Sequence, residues 1–317
     1  MLKWNKLGRI FNPFDFPNRP LWMEEFAQCV STLILDDVVR VFFSCRPKKD
    51  NNKQCVSYTT FLDLDKKDLT KIVRIADHPV LELGELGTFD EFGIYPTCVY
   101  KKDNKTYLYY AGWTRCVSVF ASVGIGLAVS LDDGEYFQRL GKGPIMTRTL
   151  SEPFVISGPK VRQCNNDLQM YYLAGEKWVI HKSQSEAIYK IRMAKSVDGI
   201  NWERSGNNII KSILEEECQA GPDVFYRMGM YYMYFSYRYG LDFRNNDRGY
   251  RIGHAYSHDS INWTRDDTNA GIGLSDSGWD SIDMHYPHVF QLDNDFYMLY
   301  NGNEFGKYGF GLAKLEV

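Results

Sequence analysis

Apolar and polar residues alternate along the chain in short runs rather than at the 3.6-residue spacing of a helix. From Glu215 to Trp263 a polar loop leads through Gly221-Pro222 into the apolar run Val224-Phe225-Tyr226. Gly229 breaks that run, a second follows from Tyr231 to Tyr237, and a third from Ile252 to Ser257 closes on Asp259-Ser260-Ile261-Asn262-Trp263. Runs of five to seven residues rich in Tyr, Phe and Val, separated by Gly, Asn and Asp, predict antiparallel strands joined by tight turns. One such unit is a four-stranded meander, too small to bury both of its faces by itself.

The unit repeats. Pro96, Pro159, Pro222 and Pro287 each open a strand, at spacings of 63, 63 and 65 residues, and are followed two residues later by Cys98, Val161, Val224 and Val289. A second, Tyr-rich strand follows in each copy: Tyr107–Gly112, Met170–Gly175, Tyr231–Ser236 and Tyr297–Gly302. A fifth copy lacks the Pro but keeps Cys29-Val30-Ser31 and Val41-Phe42-Phe43-Ser44. Five copies of about 63 residues fill the 317, so the chain reads as one domain, residues 1–317, and as an all-β, five-bladed β-propeller with four-stranded antiparallel blades. After Phe310-Gly311-Leu312-Ala313 the last copy ends one strand short. Trp4-Asn5-Lys6-Leu7-Gly8 aligns with Phe137-Gln138-Arg139-Leu140-Gly141 and Trp202-Glu203-Arg204-Ser205-Gly206, the outer strands of other copies. The N-terminal strand is therefore expected to complete the last blade and remove two open pairing edges.

Successive strands of a blade run antiparallel, so the start of each inner strand and the end of the next strand share one face of the disc. That rule gathers candidate site residues. The loops before the inner strands supply Glu24, Glu25, Asp90, Glu91, Glu217, Asp280, Asp283 and His285; the exits of the second strands supply Arg46, Trp113, Trp178, Arg238, Asn301 and Asn303. Aromatic faces stack on sugar C–H surfaces while carboxylates, Arg and Asn bond hydroxyls, so the set suits a saccharide. Glu91 and Glu217 each lie five residues before a strand-opening Pro, and Glu24 five before Cys29. Three acids at matching positions are expected to converge on the axis and to raise one another's pKa. The Ser-x-Asp-Gly-x-x-Trp segment at Ser196 and its variant at Ser257 are read as hairpin turns rather than chemistry.

Composition narrows the reading. A net charge of −3 argues against nucleic acid as a partner. Seven cysteines show no C-x-x-C pair, and no metal-ligand spacing or phosphate-binding Gly loop appears, so no cofactor or metal is expected. Met1–Phe16 holds no signal-type apolar stretch and no run reaches transmembrane length. The expectation is a cytoplasmic protein with reduced thiols and no membrane partner; its oligomeric state is left open.

With its Tyr-rich blades, Gly-Pro-x-Val strand openings, Asp-Gly-x-x-Trp turns and acid-rimmed face, the chain resembles, over its whole length, the five-bladed propeller glycoside hydrolases of the arabinanase, invertase and levansucrase type. The segment from Trp279-Asp280-Ser281 through Tyr286-Pro287 to Asn301-Gly302-Asn303 is similar to an uncharacterised branch associated with bacterial surface-polysaccharide biosynthesis. The resemblance implies a sugar or nucleotide-sugar ligand. The chain departs from arabinanase-like enzymes, which place an acid before Gly-Pro: here Ala220 and Ser157 precede Gly221 and Gly158. Glu217-Cys218 partly matches the Glu-Cys-Pro motif of invertases. The first expectation is hydrolysis, with Glu217 as acid and Glu91 or Asp90 as base or nucleophile, and with Asp283 in the same cluster. Glu25, Arg46, Trp113, Trp178, Arg238, Arg251, Asp280, His285, Asn301 and Asn303 would hold the substrate. The density of Arg (Arg46, Arg115, Arg238, Arg244, Arg248, Arg251) motivates a second: a transferase or phosphorylase acting on a phosphorylated or nucleotide-linked sugar. A third is a non-catalytic sugar-binding propeller.

Overall fold

A computed structural model describes residues 2–49, 55–164, 167–244 and 247–316. Five four-stranded antiparallel sheets form a ring. From the axis outward, the first blade is Glu25–Ile34, Val38–Arg46, Tyr58–Asp65 and Ile72–Ile75; the second is Gly93–Lys102, Lys105–Arg115, Ala121–Ser130 and Gln138–Arg139. Ile156–Cys164, Asp167–His181, Gln184–Ser196 and Glu203–Arg204 make the third, and Cys218–Arg227, Met230–Arg238, Arg251–Ser257 and Thr264–Arg265 the fourth. The fifth joins both ends of the chain: His285–Leu292, Asp295–Asn301 and Phe310–Leu315 are completed by Trp4–Phe11, with Trp4 paired to Leu315 and Phe11 to Phe310. Each inner strand contacts the next, and the fifth contacts the first.

Each blade carries apolar side chains on both faces, and only neighbouring blades can cover them. Five apolar clusters accordingly occupy the five gaps between blades. Phe42, Phe61, Ile94 and Tyr110 fill the first gap, for example, and Phe11, Phe43, Leu299 and Phe310 the one across the closure. The Asp-Gly turns serve these gaps. Asp198 accepts the backbone N–H groups of Ile200 and Asn201, and the Tyr109 hydroxyl reaches from the preceding blade to the Gly199 carbonyl at 3.0 Å. Tyr171 does the same to the Ser260 carbonyl one blade on, and Trp202 and Trp263 stand edge-on to these tyrosines.

A second repeated device lies inside the blades. An acid in the loop leading to the inner strand meets a base on the outermost strand, and in three blades a tyrosine hydroxyl of the second strand as well. Asp90 accepts from Tyr110 (2.9 Å) and Arg139 (2.8 Å), Glu152 from Tyr172 (2.8 Å) and Arg204 (2.6 Å), and Asp280 from Tyr300 (3.1 Å) and Lys6 (2.7 Å). In the fourth blade Phe235 stands where the others have Tyr, and Glu217 is held by Arg265 and Gln219, both at 2.7 Å. All four acids are buried. No helix among the described residues is long and apolar enough to cross a membrane.

Removing one base from this device leaves an unpaired buried carboxylate. Arg139→Met is expected to cost about 3 kcal/mol or more, and Tyr110→Phe about 1–2 kcal/mol. Urea unfolding should show both as lower midpoints at an unchanged m-value; equal, sub-kilocalorie effects would contradict the bracing role.

Candidate functional site

In every blade the ladder between the first two strands is broken at the strand-opening position: between Gln28 and Ser31, Tyr95 and Cys98, Ser157 and Lys160, Ala220 and Asp223, and His285 and His288. Proline has no N–H to give to a ladder, so Pro96, Pro159, Pro222 and Pro287 sit at bulges. The residue before the bulge is left-handed at Gly158 (φ 58°), Gly221 (φ 53°) and Tyr286 (φ 51°), as is Cys29 (φ 55°) in the blade without a Pro. The five bulges together form the floor of a cavity of 670 Å³ at one mouth of the channel.

Its walls come from the strand ends that antiparallel geometry predicts. Arg46, Trp113, Trp178 and Arg238, all expected from the sequence, line it. They are joined by Gln28, Cys29, Tyr95, Lys160, Tyr189, Tyr250 and Tyr286. A hairpin formed by the extended strands Asp167–His181 and Gln184–Ser196 overhangs one side, bringing Gln184, Ser185 and Glu186 to the cavity beside Trp178. Ser185 accepts the Phe120 N–H (2.9 Å), His181 meets Asp242 (2.9 Å), and Glu186 pairs with Arg244, so the hairpin is tied to loops of both adjacent blades.

The other expected residues lie elsewhere. Glu217, Asp90 and Asp280 are the bracing acids, and none lines the cavity. Counting back from the prolines does not align these acids, because the loops differ in length: the four stand five, six or seven residues before them. Glu91 accepts the Gly87 N–H within its own loop, Glu24 pairs with Lys48 (3.5 Å), and Glu25 faces Lys307 at 4.0 Å. Asp283 accepts the Tyr250 N–H (2.8 Å) behind the wall, and burial raises its pKa. Arg251 donates to the carbonyls of Tyr250 and Ile282. Asn301 bridges the carbonyls of Ala27 and Gly309, and Asn303 accepts the N–H groups of Ile282 and Asp283. His285 is fully buried among Tyr250, Tyr286 and Phe305. The three acids expected to meet on the axis are thus spread over separate contacts.

The cavity is rich in positive charge. Among the described residues, Arg46, Lys160, Arg238 and Arg244 line it against one carboxylate, Glu186. Lys160 has a counter-charge below it in Asp223 (3.6 Å), which is shared with Arg162 (2.5 Å) and His288 (2.6 Å). Burial opposes ionisation of Asp223, yet Arg162, Lys160 and His288 together hold it far below the usual carboxylate range. Arg46 and Arg238 have no such partner. Arg46 donates to Gln28 (3.1 Å) and the Tyr95 hydroxyl (2.7 Å), Arg238 to the Tyr239 carbonyl (2.8 Å) and the Tyr189 hydroxyl (3.1 Å). Neither comes within 4.0 Å of a carboxylate among the described residues, and the Nε of each has no partner among them. Burial pushes the Cys29 thiol up to about 12, so it stays protonated and is no nucleophile at neutral pH. No cluster of His, Cys, Asp and Glu among the described residues could hold a metal ion.

Comparison with known proteins places the chain. It is 32% identical over 317 residues to two Mycobacterium tuberculosis proteins, Rv1502 of strain H37Rv and MT1551 of strain CDC 1551, both described as uncharacterized. The match covers 99% of this chain and 100% of each relative. The chain belongs to the Rv1502 family. No protein-family model matches it. Among solved structures, one described as a glycoside hydrolase superposes with a TM-score of 0.76 at 17% identity, over 99% of this chain and 92% of the other. A glycosyl hydrolase from Bacteroides ovatus gives 0.71 at 12%, over 98% and 93%. A structure described as showing that the GH130 family of mannoside phosphorylases contains glycoside hydrolases targeting β-1,2 mannosidic linkages in Candida mannan gives 0.69 at 13%, over 99% and 93%. The family therefore has the fold of the five-bladed propeller glycoside hydrolases.

Lys160, Glu186 and Tyr189 are among the lining residues that the sequence did not point to, whereas Arg244 was expected among the clustered arginines. Lys160 follows a strand-opening Pro and faces the channel, as Asp223 and His288 do after theirs. That shared offset from the prolines is the signal that could have found it. Glu186, Tyr189 and Arg244 reach the cavity through the long hairpin and its neighbouring loop. The trace of the hairpin in the sequence is the alternation that continues past Gly175 through Trp178 and Ile180.

Burial pushes the His285 pKa down to about 3, against an ordinary value near 6.5. Below pH 6.5 the unfolded chain therefore takes up a proton that the native state refuses, and this residue removes stability as pH falls from 6.5 toward 3, by up to about 1.4 kcal/mol per pH unit. In His285→Phe, urea unfolding free energies between pH 6.5 and 4 should fall less steeply by about that amount; an unchanged slope would mean the imidazole protonates in the native state.

Proposed function

We propose that the protein transfers a glycosyl unit between a phosphate-bearing donor, a glycosyl phosphate or nucleotide sugar, and a sugar hydroxyl, in the cavity at the mouth of the propeller. One observation carries this reading: two guanidinium groups, Arg238 buried and Arg46 half-buried with its Nε enclosed, face the cavity without a carboxylate partner among the described residues. A buried charge without a counter-charge is costly, and an anionic ligand removes the cost. Arg forks match phosphate oxygens in geometry as well as charge.

The count of carboxylates points the same way. Hydrolysis of a glycoside uses two, separated by about 5 Å in retaining enzymes or about 6.5–9.5 Å in inverting ones. Among the described residues the cavity offers Glu186 alone. Transfer from a glycosyl phosphate requires one: the acceptor hydroxyl attacks the anomeric carbon and gives its proton to Glu186, while the C–O bond to phosphate breaks and the phosphate leaves with the electron pair. Arg238 and Arg244 would hold the charge that develops on the leaving oxygens. Run backwards, the same steps are phosphorolysis, with phosphate as nucleophile and the Glu186 carboxyl as acid. Trp113 and Trp178 supply aromatic faces for the sugar rings. The mannoside phosphorylases named among the structural neighbours use this class of reaction on the same fold.

A melting-temperature panel of glycosyl 1-phosphates and nucleotide sugars tests the reading. A true ligand at a hundred times its Kd should stabilise the native state by about 2.7 kcal/mol, and Arg238→Gln should remove most of that shift. With an acceptor sugar present, phosphate or nucleoside diphosphate release should drop at least about a hundredfold in Glu186→Gln. A panel with no stabilising member would overturn the phosphate reading, whereas stabilisation without turnover would leave a binding protein.

A further inference from the structure

We propose that the sugar moved by this site is itself acidic, and that Arg46 recognises a carboxylate on it at the end of the cavity away from the phosphate. The inference rests on the glycosyl-phosphate reading and adds the class of sugar. The two guanidiniums that lack a carboxylate partner among the described residues sit in different settings.

Arg238 belongs to a paired anion site. Its guanidinium lies 3.5 Å from the centre of the Phe243 ring and that of Arg244 lies 4.2 Å from the same centre, so one ring carries both cations. Arg244 also meets Glu186, the one acid among the described residues that lines the cavity. Two forks beside the acid-base group are where a reacting phosphate belongs.

Arg46 stands apart. It projects from the first blade, Arg238 from the fourth, and the inner strand of the fifth, with Tyr286, runs between them around the ring. Its partners among the described residues are all neutral: the Gln28 amide, the Tyr95 hydroxyl and the Phe26 ring, 4.5 Å from its guanidinium carbon. The fold does not demand a cation there. The residue paired with the first position of the inner strand is a cation in two blades, Arg46 in the first and Arg238 in the fourth, but Trp113 in the second, Ala174 in the third and Asn301 in the fifth. A sugar hydroxyl at that point could be bound by an amide or hydroxyl without burying a charge. A fixed, planar, uncompensated fork is suited to a carboxylate, which it can grip through two parallel hydrogen bonds. The two ends together describe a glycosyl unit with phosphate at its anomeric carbon and a carboxylate elsewhere on the ring, as in a uronic acid 1-phosphate.

The test compares calorimetric binding of uronic acid 1-phosphates with that of the matching neutral hexose 1-phosphates, in the gluco, galacto and manno series, to the native protein and to Arg46→Gln, Arg46→Lys and Arg238→Gln. In at least one series the acidic member should bind the native protein tenfold or more tightly than its neutral partner. Arg46→Gln should cost the acidic ligand at least tenfold more than the neutral one, Arg46→Lys should restore part of the preference, and Arg238→Gln should weaken both ligands together. Native-like circular dichroism and melting establish that the variants fold; the preference of the native protein is read without them. Equal affinities within every pair would overturn the inference and leave the phosphate reading standing. So would equal losses for both ligands in Arg46→Gln, the result expected if both guanidiniums clamp one anion. Binding of no 1-phosphate at all would remove the phosphate reading and this one with it.

Discussion

A blade with two apolar faces cannot end in water. Every sheet here is covered on both sides by its neighbours, so the ring is stable only when it is complete, and the last gap closes only because Trp4–Phe11 supplies the outermost strand of a blade built otherwise from the C-terminal end. Closure also removes pairing edges along which such a chain could join another. Lys6 shows how far this dependence reaches. It arrives on the N-terminal strand, yet its charge answers Asp280, which precedes the inner strand of the same blade by only a short loop. The strand that seals the ring thus also completes the fifth blade's brace.

The braces explain where the acids went. A loop that must turn from the rim of one blade to the axis of the next passes over the neighbouring sheet, and a buried carboxylate bonded to a hydroxyl and a base fixes its path. Asp90, Glu152, Glu217 and Asp280 are committed in this way, each to a cation on the outermost strand of its blade. Acids that position loops leave the mouth to the cations. The cavity is basic because the acids on that side of the disc point outward into the scaffold, and the guanidiniums at the strand exits have no such scaffold partner.

How much of this was legible in the sequence follows from the range of the interactions involved. The repeat, the blade count and the closing strand depend on local strand patterns and on similarity between segments, and these are written in the order of residues. The alignment of Lys6 with Arg139 and Arg204 even contained the braces, since all three bases bind the acids of their own blades. The partner acids were harder to place, because their loops differ in length and a fixed offset from Pro selected Glu91 in place of Asp90. Arg46, Trp113, Trp178 and Arg238 were accessible because strand direction alone sets which face an exit occupies. Glu186 and Tyr189 were not, because a hairpin that outgrows its sheet obeys no repeat.

The prolines reconcile the repeat with the individuality of the site. Each opens a bulge, and each bulge admits two residues to the axis that the regular ladder would have turned aside: one before the Pro and one after it. In the third and fourth blades the residue before is Gly158 or Gly221, free to be left-handed, while the fifth places Tyr286 there at a conformational cost that glycine avoids. The residues after are Thr97, Lys160, Asp223 and His288, of which the last three form one hydrogen-bonded cluster across three blades. A structural irregularity required by the fold in every blade therefore becomes the place where blades may differ, and the chemistry of the channel is set by what each copy puts on either side of its proline. The phenol of Tyr286 is the clearest case: it stands at a left-handed position where two other blades have glycine, packs edge-on to His285 and beside Tyr250, and adds an aromatic wall to the cavity.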